Sequence, residues 1–145
     1  MRELSESIEI PATPEQVWAV LTDLDAYPRW NPFIVEASGV LEVGQKLRVR
    51  IKPPGRRASR FSPTVTAIEE AVALEWHGSL GIKGIFDGTH RFELSPSEFL
   101  PDGTTFIQRE AFSGVLVRPL ERMLRDTLAG FELMNRALLA RVTKT

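Results

Sequence analysis

Three features of the sequence predict an α+β fold. Between Phe33 and Phe112, apolar and polar residues alternate with a period of two, which is typical of antiparallel strands that bury one face. A short helical segment precedes this region, and helical spacing returns from Leu116 onward. A bent sheet buries one face by curling around a partner. We therefore expect a curved seven-stranded antiparallel sheet wrapped around a long C-terminal helix, with two short helices after the first strand.

The N-terminal elements are defined by proline and by capping residues. An alternating run over Leu4–Ile10 predicts a strand that ends at Pro11. Thr13 then supplies an N-cap, and Gln16 follows it at the spacing of a capping box. A helix is therefore expected to begin at Pro14, where the missing N–H of proline costs nothing.

The residues after this helix predict a bend rich in aromatic side chains. A second short helical stretch is expected over Leu24–Tyr27, because Pro28 and Pro32 interrupt the helical pattern beyond it. The segment Tyr27–Phe33 is therefore predicted to be a loop, and we call it the aromatic elbow.

Six further strands and one long helix complete the chain. The clearest strand is Lys46–Lys52, in which the apolar side chains share one face and four cations share the other. Glycine, proline and acidic residues separate the runs as turn signals. Apolar residues at intervals of three or four predict one amphipathic helix over Leu116–Val142. The other predicted strands are Phe33–Val40, Ser59–Ile68, Val72–Gly78, Ile85–Leu94 and Thr104–Phe112.

Composition excludes several classes of partner. The 145 residues include 18 Lys and Arg against 19 Asp and Glu, so the net charge of −1 provides no field for nucleic acid or an anionic membrane. The sequence shows no cysteine, no signal-peptide pattern and no apolar run of about 18 residues that could span a bilayer. No repeat or linker divides it. We expect one cytoplasmic domain over residues 1–145, as a monomer or homodimer.

Motifs for a metal, a cofactor or a nucleophile are missing from the sequence. The segment Gly78–Gly84 lacks the G-x-G-x-x-G spacing, and neither G-x-S-x-G nor H-E-x-x-H occurs. His77 and His90 are predicted on opposite faces of the sheet, which makes a poor metal site. The basic segment Lys52–Arg60 has no interleaved aromatic residues for base stacking, so we expect a solvated hairpin tip. We therefore expect no metal, no cofactor and no nucleic acid.

Several motifs carry a family resemblance. They are Ile8–Trp18 at the entry to the first helix, Trp30–Phe33, Trp76–Gly78, Gly88–Phe92 and the closing helix. With the element order, they resemble the SRPBCC superfamily, the helix-grip proteins that include the birch pollen allergen, START lipid-transfer domains and polyketide cyclase/dehydrase-like proteins. The resemblance spans essentially the whole chain and implies a deep, mainly apolar cavity between sheet and helix, used for lipids, hormones, polyketides and quinones. It also implies that the aromatic elbow lies near the cavity mouth.

Strand phase predicts a polar cluster within the apolar face of the sheet. His90 faces inward with the apolar residues of its strand. In the next strand, the phase with more aromatic area turns Gln108 and Glu110 inward and Arg109 outward. Antiparallel pairing then brings His90 opposite or diagonal to both polar residues. The other inward residues of these two strands include Phe86, Phe92 and Phe112.

The expected function is binding of a small hydrophobic ligand, such as a lipid, polyketide or quinone-like molecule. The polar cluster would then hydrogen-bond the polar end of the ligand. The competing interpretation is a satisfied polar pair that fixes strand register, since buried polar groups must find partners in any case. An alternative is a polyketide cyclase or dehydratase-like enzyme, with His90 and Glu110 as candidate catalytic residues. A third is a protein-interaction module with a vestigial cavity. The candidate ligand-binding residues are Trp30, Asn31, Phe33, Trp76, Phe86, His90, Phe92, Gln108, Glu110, Phe112, Met123, Phe131 and Met134.

Overall fold

The structure is a computed structural model that describes residues 2–79, 87–115 and 117–144. In chain order, its strands and α-helices are β1 (Arg2–Ile10), α1 (Pro14–Leu21), α2 (Tyr27–Trp30), β2 (Ile34–Ser38), β3 (Arg48–Ile51), β4 (Ser59–Phe61), β5 (Thr64–Glu69), β6 (Ala73–Ser79), β7 (Asp87–Pro96), β8 (Thr104–Ser113) and α3 (Glu121–Thr143). Two antiparallel sheets result, with the orders β1-β8-β7-β6-β5 and β2-β3-β4. Helix α3 packs against β1 and α1, so the predicted helix-grip α+β class is confirmed.

The region predicted as one strand over Ser59–Ile68 forms two strands in different sheets. Pro63 lies between β4 and β5, where it has no N–H to donate and its carbonyl accepts a hydrogen bond from the Leu47 N–H at 2.8 Å. Strand β4 pairs with β3, whereas β5 pairs with β6. The described residues therefore contain eight strands in two sheets rather than seven strands in one.

The aromatic elbow is more regular than the sequence predicted. It contains one helical turn, α2, where a loop was expected, and a 3₁₀ turn over Leu24–Ala26 precedes it. Pro28 occupies the first turn of α2, a position at which proline favours a helix instead of ending it. The capping box of α1 is present as predicted, because Thr13 and Gln16 exchange hydrogen bonds between side chain and backbone.

The C-terminal helix begins later than expected. Residues 117–120 form turns, and α3 starts at Glu121 rather than near Leu116. Pro119 explains the delay, since it disfavours the helical conformation of the residue before it. Leu116, Phe86 and most of the glycine-rich segment Gly78–Gly84 lie outside the described residues. No helix that the structure describes is both long and apolar enough to cross a lipid bilayer.

The core lies between α3 and the inner face of the five-stranded sheet. His90 is opposite Glu110 and Phe92 is opposite Gln108 in the β7–β8 register, which is the predicted pairing. Gly130 of α3 allows the side chain of Phe33, which directly precedes β2, to approach, because a Cβ atom at position 130 would lie 2.3 Å from Cδ1 of Phe33. The ring of Phe33 therefore rests directly on the helix backbone.

Glu93 links two arginines on the outer face of the sheet. Nε of Arg109 lies 2.6 Å from Oε1 of Glu93, and Nε of Arg91 lies 2.9 Å from Oε2. The hydrogen bond from Arg109, reinforced by Arg91 and opposed by partial burial, lowers the pKa of Glu93 below its ordinary value of 4.5. The same contact places Arg109 on the outward face, as predicted.

Acid is expected to remove the stabilisation that Glu93 provides. Because its pKa is lower in the folded chain than in the unfolded chain, the contribution is complete above about pH 4.5 and is lost as pH falls through the folded value. Urea unfolding at several pH values from about 6 to 3 should show a shallower acid loss of stability for Glu93→Gln than for the wild type. Glu42→Gln, at an exposed position, is the control and should keep the wild-type slope. Equal slopes for all three proteins would contradict the expectation.

Candidate functional site

A cavity of about 310 Å³ lies where the ends of β6, β7 and β8 meet the first turns of α3 and the β3–β4 hairpin. Its wall is mainly apolar, and polar groups stand at two places, the floor and the mouth. The main apolar side chains of the wall are Phe33, Val49, Ile51, Phe61, Trp76, Phe112 and Met123. Polar contributions come from Arg56, Arg57, Ser59, Ser79, Glu110 and Thr127.

Glu110 places a carboxylate at the cavity floor. Its side chain is 16% exposed, and Oε1 lies 3.4 Å from Nδ1 of His90. The other oxygen, Oε2, lies beside Gly88, where a Cβ atom would be only 2.7 Å away. Because Gly88 has no side chain, the carboxylate of Glu110 can occupy this space.

His90 lies behind Glu110 and does not line the cavity. It is 1% exposed, and its ring centroid lies 4.5 Å from that of Phe92, 5.0 Å from that of Phe131 and 5.6 Å from that of Trp76. Its Nε2 is 3.1 Å from Oε1 of Gln108. A ligand in the cavity would therefore contact Glu110 directly, and His90 would act on the ligand only through Glu110.

A chain of buried hydrogen bonds continues from His90 to the helix and to β1. Gln108 Nε2 donates to Asn135 Oδ1 at 2.7 Å and to the Phe131 carbonyl at 3.3 Å. Asn135 Nδ2 in turn donates to the Glu6 carbonyl at 3.2 Å. We call Glu110, His90, Gln108 and Asn135 the buried network. Sequence reasoning missed Asn135, whose signal was a polar residue on the apolar face of α3, between Phe131 and Leu138.

The predicted site residues fall into two groups. Phe33, Trp76, Glu110, Phe112 and Met123 line the cavity. Phe92, Gln108, Phe131 and Met134 are fully buried in the core and are not part of the cavity wall. Strand and helix phase thus identify the inner face, whereas the cavity occupies one end of it. Phe86 lies outside the described residues.

Trp30 and Asn31, the two predicted site residues of the aromatic elbow, stabilise the fold and do not line the cavity. Trp30 packs its ring edge-on against Tyr27, with the centroids 5.2 Å apart. Asn31 Oδ1 accepts the backbone N–H groups of Phe33 and Ile34 at 3.0 and 2.8 Å, and neither elbow residue borders the cavity. Asn31 therefore helps to position Phe33, which does line it.

The cavity mouth comes from a segment that the sequence suggested was only a solvated hairpin tip. Arg56 and Arg57 are exposed, as expected, yet both border the cavity. Arg56 Nε also lies 2.5 Å from Oδ2 of Asp126, which ties the hairpin to α3. The signal for this role was the apolar residues Ile51 and Pro53 directly before the cations.

Metal chemistry has no evident centre in the described part of the chain, where no three His, Asp or Glu side chains converge. Among the described residues that line the cavity, the titratable groups are the carboxylate of Glu110 and the guanidinium groups of Arg56 and Arg57. The arrangement can therefore hold an apolar body, accept or exchange a proton at the floor and attract negative charge at the mouth.

Solved structures share this fold over nearly their whole length. A START superfamily protein from Mycobacterium smegmatis has 23% identity and a TM-score of 0.75, with 97% of this chain and 96% of that chain covered. The Zhui aromatase/cyclase from Streptomyces sp. R1128 has 14% identity and a TM-score of 0.75, with 97% and 93% covered. A protein from Thermus thermophilus has 17% identity and a TM-score of 0.75, with 97% of both chains covered. These identities establish a common fold alone.

Family membership is established by the sequence over its full length. Residues 1–145 match the family described as polyketide cyclase/dehydrase and lipid transport. No curated protein matches the chain. The resemblance to the SRPBCC superfamily is therefore confirmed, and the chain belongs to its polyketide cyclase/dehydrase and lipid transport family.

Proposed function

We propose that this protein binds a small hydrophobic molecule in the cavity between the sheet and α3. The observation that carries the proposal is an open, mainly apolar cavity of about 310 Å³ with a single carboxylate at its floor. Ligand pockets are typically about 300–1,000 Å³, apolar, and equipped with a few polar groups that orient the ligand. The volume lies at the low end of this range, which favours a compact ring system over a long lipid.

The open cavity also supports ligand binding over a purely structural role. A vestigial cavity in an interaction module would be filled by the protein's own side chains, whereas this one stays open beside fully buried aromatic residues. A chain without cysteine is compatible with carrier function in a reducing cytoplasm.

Filling the cavity is expected to weaken binding. Thr127 projects from α3 into the cavity, so Thr127→Phe places a ring where the ligand would lie. Titration with the neutral dye N-phenyl-1-naphthylamine, followed by fluorescence, should show affinity lower by about tenfold or more, or about 1.4 kcal/mol. Ala129→Phe, on the exposed face of the same helix, is the matched control and should bind as the wild type does.

The same titration distinguishes the outcomes. Circular dichroism and thermal unfolding establish that both variants fold. Equal affinity in Thr127→Phe and Ala129→Phe would place the dye elsewhere and reject the cavity as the binding site. Native mass spectrometry of protein from its source organism, before and after denaturation, would give the mass of a natural ligand.

A second candidate function is proton-transfer catalysis on the bound molecule. The observation that favours it is the carboxylate of Glu110 at the cavity floor, with His90 directly behind it at 3.4 Å. Such a pair can move a proton to or from a substrate carbon or oxygen. Exchange of the α-hydrogens of 2-tetralone in D₂O, followed by NMR, should be faster with the wild type than with Glu110→Gln. Equal exchange rates would reject catalysis and leave the binding function intact.

A further inference from the structure

Two backbone carbonyls, those of Glu6 and Phe131, determine which side-chain atoms donate and which accept in the buried network. A carbonyl oxygen only accepts hydrogen bonds, so the Asn135 atom that faces the Glu6 carbonyl is the Nδ2 donor. Asn135 Oδ1 must then face Gln108. The orientation of this amide therefore follows from its partners.

The hydrogen-bond partners of Gln108 fix the orientation of its side-chain amide in the same way. Its nearest neighbours on α3 are Asn135 Oδ1 and the Phe131 carbonyl, which are both acceptors, so Nε2 points to the helix. Oε1 of Gln108 consequently points to His90. Because Oε1 only accepts, Nε2 of His90 carries a hydrogen and donates it across the 3.1 Å contact.

The second ring nitrogen of His90 faces Glu110. In a neutral ring with hydrogen on Nε2, Nδ1 has a lone pair, and that lone pair would face the carboxylate oxygen 3.4 Å away. Any hydrogen bond between the two side chains would use this oxygen, Oε1. The aromatic rings that pack against His90 are those of Trp76, Phe92 and Phe131, which carry no charge.

The other carboxylate oxygen of Glu110, Oε2, faces the cavity. Since Oε1 is the oxygen that faces His90, Oε2 of Glu110 presents its lone pairs to the cavity. Oε2 lies beside Gly88 on the cavity wall, and no described residue donates a hydrogen bond to it. Polar atoms in such sites normally have a hydrogen-bond partner, and a donor group of the ligand would be the partner of Oε2.

We propose that the natural ligand is an apolar molecule whose inner end is a hydroxyl or N–H group, donated to Oε2 of Glu110. This inference rests on the proposed binding function and adds the polarity of the ligand. A ligand whose inner end is a carboxylate, ether or ketone would bring a second acceptor against Oε2 and bind more weakly.

Two probes of nearly equal shape test the polarity. The hydroxyl of 2-naphthol donates a hydrogen bond, whereas 2-methoxynaphthalene offers only an acceptor. Titrations followed by ligand-observed NMR should show that 2-naphthol binds about tenfold tighter or more. Equal affinities would overturn the inference and leave the binding function standing. Binding of neither probe would overturn the binding function, and the inference with it.

Two substitutions at Glu110 distinguish the effect of its negative charge from the effect of an acceptor oxygen that faces the cavity. Glu110→Leu should abolish the preference for 2-naphthol while 2-methoxynaphthalene still binds. Glu110→Gln should retain part of the preference, because its amide N–H would donate to Nδ1 of His90 and turn its carbonyl oxygen to the cavity. Thermal unfolding establishes that both variants fold. Equal loss of preference in the two variants would contradict the directed network.

The direction of the network is also measurable without a ligand. The chain has two histidines, so His77→Gln leaves His90 alone in a ¹⁵N spectrum. Two-bond ¹H–¹⁵N correlations at about pH 7 should show a protonated Nε2. A ring protonated on Nδ1 with a bare Nε2 would overturn the inference.

Discussion

Phe131→Ala is expected to lower the free energy of unfolding by about 3–5 kcal/mol. The side chain is fully buried on α3, where its ring meets Phe33 at a centroid distance of 5.6 Å and His90 at 5.0 Å. Truncation removes these contacts and leaves a void that the surrounding core cannot fill. Urea unfolding at neutral pH measures the loss through the shift in midpoint.

Leu133→Ala is the matched control for this prediction. Leu133 lies on the same helix, two residues away, but is 42% exposed. The change should therefore alter stability by about 0.5 kcal/mol or less beyond the small difference in helix propensity. Similar losses in the two variants would mean that α3 does not bury Phe131 against the sheet.

Gln108→Leu is expected to cost several kcal/mol, the second large effect. The substitution leaves two buried polar groups without their partner, namely Nε2 of His90 and Oδ1 of Asn135, whereas the Phe131 carbonyl keeps its bond within α3. Each unsatisfied buried group costs about 1–3 kcal/mol, although leucine regains part of this by apolar packing. The free energy of unfolding in urea is again the measurement.

A double substitution tests whether the cost arises from broken hydrogen bonds. Asn135→Leu alone leaves Nε2 of Gln108 and the Glu6 carbonyl short of a partner. Combined with Gln108→Leu, it removes both members of one hydrogen bond, so the double variant should be more stable than the sum of the single losses predicts by about 1 kcal/mol or more. Strict additivity would show that the two amides act independently.

The sequence predicted the face on which the polar cluster lies, because a strand has one choice of phase once its aromatic residues are turned inward. The short connection between β7 and β8 predicted that His90 lies opposite or diagonal to Gln108 and Glu110, and in the observed register Glu110 is the residue opposite His90. The capping box of α1 was also predictable, because its two residues are only three positions apart. Interactions within one hairpin or one helical turn were therefore predictable from spacing alone.

The position of the cavity along that face was not predictable in the same way. Periodicity separates inside from outside, but it does not tell where α3 lies close to the sheet and where it diverges. Phe92 and Phe131 are consequently core residues around His90, whereas Phe112 and Met123 on the same two surfaces border the cavity. The Arg56–Asp126 ion pair depends on residues 70 positions apart, and no local pattern indicates such a contact.

The cavity has a floor and a mouth of different construction. Behind the Glu110 floor, the hydrogen bonds of His90, Gln108 and Asn135 also hold the core together, so few substitutions at these three residues leave the protein folded. The mouth comes from the β3–β4 hairpin, whose cations are exposed and whose tip tolerates change. Ligand size and charge can therefore diverge among related chains through the hairpin alone, while the chemistry at the inner end stays constant.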